Sequence, residues 1–188
     1  RQAQSLALKP QGRAAGEVQL DGNGFVLHQA ARAADLVKHG LQHGNQVVCI
    51  RRDFGQRYRC GGGGLCGERR WRGVRTTDGN VEAARWAQLA ILSVKPQTLP
   101  TLLPELRGTL ADGELVISIV AGASIRQLAE GMLHAAVVRS MPNTPAQIGE
   151  GMTVWTAAEA VTEQQRGWAR TVLGSFGREL YVAEESYL

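Results

Sequence analysis

Three short segments of this chain carry residue types suited to holding a flat, charged ligand. Lys95-Pro96 sets a cation beside a turn of fixed φ, and Ala121-Gly122 offers backbone with almost no side chain to hinder a planar ring. Met141-Pro142-Asn143-Thr144-Pro145 holds two hydrogen-bonding side chains between prolines, whose rings lock φ. Each segment ends a strand-like stretch: Leu89–Val94, Leu115–Val120 and His134–Arg139. An open α/β sheet binds ligands in the crevice outside the carboxyl ends of its strands, so three such loops predict one shared site. The chemistry is positioning rather than proton transfer. No His, Asp or Glu in this region is placed as an obvious proton donor, and His134 reads as structural.

The elements that must position these loops alternate between strand and helix. Glu17–Leu20 is read as a short strand, His28–His43 as a helix closed by Gly44, and Gln46–Ile50 as a strand. Val74–Thr77 is a further strand, and Asp78 or Asn80 can cap a short helix to about Ala87. A helix from about Leu99 to Leu110 carries Leu102, Leu103 and Leu106 on one side. Ser124 caps a helix with Ile125 and Leu128 inward; Met152–Trp155, a helix over Thr162–Leu173 with Thr162 as N-cap, and strand Glu179–Val182 complete the pattern. Such alternation predicts a Rossmann-like α/β domain over residues 17–185, with a mostly parallel sheet and helices on both faces. Residues 1–16 carry no usable period and stay unassigned. Residues 54–73, with Gly61–Gly64, Cys60, Cys66, Trp71 and several Arg, are irregular; an ordinary loop, a real insertion and sequence read out of frame all fit them.

Composition narrows the function classes. A hydrophobic content of 44% in 188 residues suits a globular domain with a proper core. No apolar run approaches the ~20 residues of a membrane span, and the cytoplasm is the expected compartment. The net charge of +4 is local, since residues 51–85 hold nine Arg against two Asp and two Glu. These lie in a Gly-rich stretch without helical period rather than on one presented face, which argues against a nucleic-acid partner. The three cysteines form no C-x2-C pair, so no metal site is expected.

Two upstream features bear on a dinucleotide. Gly22-Asn-Gly24 could form the tight turn of a phosphate loop, although Leu27 stands where a third small residue belongs, and a plain surface turn fits equally. Arg51 and Arg52 follow a strand at the position where arginine accommodates the 2′-phosphate of NADP; the alternative is a solvated arginine pair.

Ser93-Val-Lys-Pro-Gln97, the Leu115–Gly122 run with Ile125 and Leu128, and Arg139-Ser-Met-Pro-Asn-Thr-Pro-Ala146 followed by Gly149-Glu-Gly-Met-Thr153 resemble the pyrroline-5-carboxylate reductases, from about Val74 to Glu185. The resemblance implies NADPH, or else NADH, lying across the crevice and reducing the C=N bond of a small-molecule imine, pyrroline-5-carboxylate, to give proline in the last step of its synthesis. It implies that Asn80 touches the nucleotide and that Ser93, Val94, Lys95 and Pro96 lie beside the cofactor. Ile119, Val120 and Ala121 would border the nicotinamide, with Pro142, Asn143 and Thr144 on its far side. In that family a helical domain follows, which forms the dimer and supplies most substrate contacts. This sequence stops at Glu184–Leu188, about where that domain would begin, so the expectation is an inactive fragment of a homo-oligomeric enzyme. Another Rossmann dehydrogenase and a non-catalytic nucleotide-binding module are the competing readings.

Overall fold

Leu89–Ser93 (β2) and Leu115–Ser118 (β3) are continuous apolar runs ending in serine, and every residue of both is buried. That burial is the mark of strands covered on both faces. The structure, a computed structural model, describes residues 46–50, 79–85 and 87–188. The glycine turn at Gly22–Gly24, the Arg51-Arg52 pair, the irregular segment and the strand expected at Val74–Thr77 lie outside these residues. The remaining strands are β1 (Gln46–Ile50), β4 (Val137–Pro142), β5 (Gly151–Ala157) and β6 (Gly177–Tyr181). The helices are α1 (Asn80–Arg85), α2 (Leu99–Leu106), α3 (Ile125–Met132) and α4 (Glu163–Gly174).

The six strands lie side by side in sequence order. β2, β3 and β4 run parallel, as do β5 and β6, while β1 against β2 and β4 against β5 are antiparallel. The sheet is therefore mostly parallel and Rossmann-like. The reversal at β5 follows from chain length: the connection 143–150 is too short for the crossover of a dozen or more residues that a parallel pair needs. Because strand direction flips while the order keeps advancing, right-handed crossovers put α2 and α3 on one face and α4 on the other. The side chains agree. Arg139 meets the tail beside α3, whereas its out-of-phase neighbour Ser140 pairs with Trp155, and Trp155 and its register partner Tyr181 lie under Arg170 and Arg166 of α4.

Several boundaries depart from the sequence reading. α2 stops at Leu106 rather than about Leu110, since Arg107 turns extended, Gly108 takes φ +67° and the Thr109 hydroxyl caps the Leu106 carbonyl. β4 begins at Val137 rather than His134, because Leu133 closes α3 in the left-handed region at φ 53°. His134 is buried, with its Nε2 2.9 Å from the Glu114 carbonyl oxygen. β5 is longer than expected and β6 starts earlier, at Gly177. The expected caps are in place: Ser124 Oγ accepts from Gln127 N, and Thr162 forms a capping box with Gln165.

The amino end of the parallel strands is knotted at Glu114. Its carbonyl also accepts from Gln165 Nε2 of α4 at 3.4 Å, and its side chain turns back to accept from Ala111 N at 2.9 Å. Burial pushes the Glu114 carboxyl above the usual carboxylate range, and the bond from Ala111 opposes this only in part. The folded state thus holds this proton more tightly than the unfolded chain, so stability falls as pH rises from the ordinary carboxylate value to the raised one. Glu114→Gln keeps an acceptor for Ala111 N and should remove that part of the slope. Urea melts of both proteins from about pH 4 to pH 7 check this; identical slopes would contradict it.

Candidate functional site

Register brings the three predicted loops to one edge. Leu92 pairs with Ser118 and Ser118 with Arg139, so the ladders joining β2, β3 and β4 end at nearly the same level with the strands in the same direction, β4 continuing against β5 to Pro142. Beyond that level Ser93, Ile119 and Val120 are buried and form a floor, and Val94 is half-buried. Lys95, Pro96, Ala121, Gly122, Asn143 and Thr144 are exposed and form the rim. Among the described residues Lys95 has no ion-pair partner.

Two buried serines shape this floor. Ser118 Oγ accepts from Val120 N at 3.2 Å, which turns the chain out of β3, and the Ser140 hydroxyl donates to the Ser118 carbonyl at 3.0 Å. Gly122 then takes φ +74°, a conformation that a side chain would strain, and delivers the chain to Ser124 and α3. After β2 the chain enters a 3-10 turn at Pro96–Thr98, closed by Thr98 N donating to the Lys95 carbonyl at 2.9 Å.

The third loop is held differently from the sequence expectation. Pro142 is not in a loop; it closes β4, opposite Thr153 of β5. Asn143 clasps Met152 twice, its N donating to the Met152 carbonyl at 3.2 Å and its Oδ1 accepting from Met152 N at 2.9 Å. Stiffness therefore comes from this clasp and the 3-10 turn Thr144–Ile148 as much as from the prolines. Asn143 Nδ2 and the Thr144 hydroxyl keep donor capacity at the rim. The turn packs directly on glycine: a Cβ on Gly151 would lie 2.6 Å from Ala146 Cα, and one on Gly177 would lie 2.2 Å from the Gly151 carbonyl.

Asn80 is placed elsewhere. Its Nδ2 donates to Glu105 Oε2 at 3.0 Å, in the last turn of α2, whereas Lys95 and Pro96 lie just before the first turn of that helix. Gly22, Gly24, Arg51 and Arg52 lie outside the described residues. The strand that leads to Arg51 pairs Ile50 with Leu89 and Gln46 with Ser93, so Ile50 sits at the end of β2 away from Lys95. A groove of about 590 Å³ runs between α2 and α3, lined by Pro100, Leu103, Arg107 and Gln127 among others. Its charged residues include Arg126 and Glu130, which pair with each other in solvent.

Comparison with known proteins points the same way. A family model described as NADP oxidoreductase, coenzyme F420-dependent, matches residues 30–122. Pyrroline-5-carboxylate reductase of Synechocystis is 40% identical over 111 residues, which is 59% of this chain and 41% of the relative. The structure of a pyrroline-5-carboxylate reductase from Coxiella burnetii superposes with a TM-score of 0.57 at 32% identity, covering 60% of this chain and 43% of that one. The described part of the chain is similar to pyrroline-5-carboxylate reductases in both sequence and fold. It spans about two fifths of the length of the curated reductases it matches. The Plasmodium falciparum reductase, solved with NADP bound, shares the fold at a TM-score of 0.60 and 24% identity, over 81% of this chain and 54% of that one.

Among the reductase-like features, the sequence reading passed over Ser118, Ser140, Gly151 and Gly177 as positioning residues. A signal existed in the lone serines that interrupt otherwise apolar strands. Gly151→Ala forces backbone to move beneath the Asn143-Thr144 loop and should destabilise by about 1–3 kcal/mol. Gly174→Ala, with open space around its position, should be neutral or slightly stabilising. Denaturant melts compare the two; equal effects would show that the tight packing against Ala146 is not what the loop depends on.

Proposed function

We propose that this domain binds NADPH across the carboxyl ends of β2, β3 and β4, and that in the full protein it serves the reduction of pyrroline-5-carboxylate to proline. The observation that carries the reading is the convergence of three family-type loops at one sheet edge, with small residues at Ala121-Gly122 and open donors at Asn143 and Thr144. These residues fit the group. Val94, Lys95 and Pro96 would flank it on one side, Ile119, Val120 and Ala121 would border the nicotinamide, and Pro142, Asn143 and Thr144 would close the other side. When bound, the cofactor supplies the hydride that the imine carbon accepts.

The chain's own contribution is orientation. Buried Ser118 and Ser140 hold the floor, the Asn143–Met152 clasp holds one wall, and Gly122 keeps the opposite wall free of side chain. Reacting atoms held at near-attack distance account for a large share of such a rate enhancement. Acid–base work falls to none of these wall residues, and His134 is committed to Glu114 at the other end of β3. The 2′-phosphate contact expected of Arg51 and Arg52 is not part of this reading, because β1 carries the chain to the end of β2 away from Lys95; NADH is the alternative cofactor. The imine and the subunit partner are assigned to a helical domain that follows this unit in the family.

Ala121 is exposed, so Ala121→Val adds bulk to the ring wall without disturbing the core. It should weaken NADPH binding by about tenfold, or ~1.4 kcal/mol, with an unchanged melting temperature. Titration of nicotinamide fluorescence on both proteins tests this. Unaltered affinity would remove the ring from Ala121, and absence of NADPH and NADH binding by the parent chain would reject the proposal.

A further inference from the structure

The loop between β3 and α3 is fixed at its start by Ser118, whose hydroxyl holds Val120 N. Its far end is fixed by a residue 60 positions downstream, since Glu185 Oε1 accepts from Ile125 N at 2.7 Å. The same carboxylate oxygen accepts from Arg139 Nη1 at 3.0 Å, and Arg139 Nη2 donates to the Leu188 carbonyl at 3.2 Å. Arg139 stands on β4 level with Ser118, and its side chain is only 12% exposed. Its Nε is buried without a hydrogen-bond partner among the described residues, so this guanidinium depends on Glu185 for its compensating charge.

We propose that Glu185 is a positioning residue for the nicotinamide end of the site, acting through the Ala121–Ser124 loop. A carboxylate at a helix N-terminus is favoured by the helix dipole, and both of its bonds here are charge-assisted. Together with Ser124 Oγ on Gln127 N, it fills the N-terminus of α3 with protein oxygen. A phosphate is repelled from that helix end, so the neighbouring wall at Ala121-Gly122 is left for the uncharged ring. The segment after β6 thereby joins the floor of the site, coupling it to the loop that the ring would touch.

The inference rests on the nucleotide reading, and a pair of ligands separates the two. Glu185→Ala should weaken NADPH by roughly tenfold while leaving 2′,5′-ADP, which lacks the nicotinamide, within about twofold. Glu185→Gln, which keeps an acceptor for Ile125 N, should fall between, and thermal melts establish that both variants fold. Equal losses for both ligands, or no loss for NADPH, overturn the proposal. If the parent chain binds neither ligand, the nucleotide reading fails. Amide hydrogen exchange at Gly122–Ile125 then decides the clasp: faster exchange in Glu185→Ala keeps it as a loop-positioning device, and unchanged exchange overturns it.

Discussion

A parallel ladder that stops at one level on three strands is the constraint on which the rest of this structure depends. β2, β3 and β4 share a register in which Leu92, Ser118 and Arg139 form one row; the chain leaves the sheet just beyond it on β2 and β3, while β4 stays paired with β5 as far as Pro142. Peptide groups at such a ladder end lose their partners, and buried ones must find others. Ser118 and Ser140 supply them. Their hydroxyls take up Val120 N and the Ser118 carbonyl at the point where the backbone bends away. The functional loops are therefore continuations of the sheet's own hydrogen bonding rather than flexible links between elements.

How much of this was legible in the sequence depends on how local each cause is. β2 and β3 were readable because a doubly covered strand has to be apolar throughout, and Leu89–Leu92 and Leu115–Ile117 are. The caps at Ser124 and Thr162 were readable because their partners lie three residues away. His134 misled because a buried ring looks like strand core in a pattern, while its burial serves a bond to Glu114 across the fold. The leucines of α2 marked the correct face but not its end, which Arg107 and Gly108 set through backbone conformation.

Long-range causes were hidden. Nothing in Gln46–Ile50 encodes strand direction, and it runs against β2 rather than with it. Asn143 invited a ligand-binding reading from its place between prolines, yet half of its side chain is spent on Met152, nine residues on. Arg139 and Glu185 lie 46 residues apart, and neither type announces the other. The three loops were nonetheless found together, because each follows a strand that had to be buried, and buried parallel strands finish at a common edge.

Strand order equal to sequence order has a kinetic consequence. Among the described residues, each strand from β2 onward joins the edge formed by the strand just before it. From β2 to β6, loop closure involves only the short helical or turn segments between neighbours, which favours rapid folding. The sheet from β2 onward can grow by accretion as the chain emerges from the ribosome.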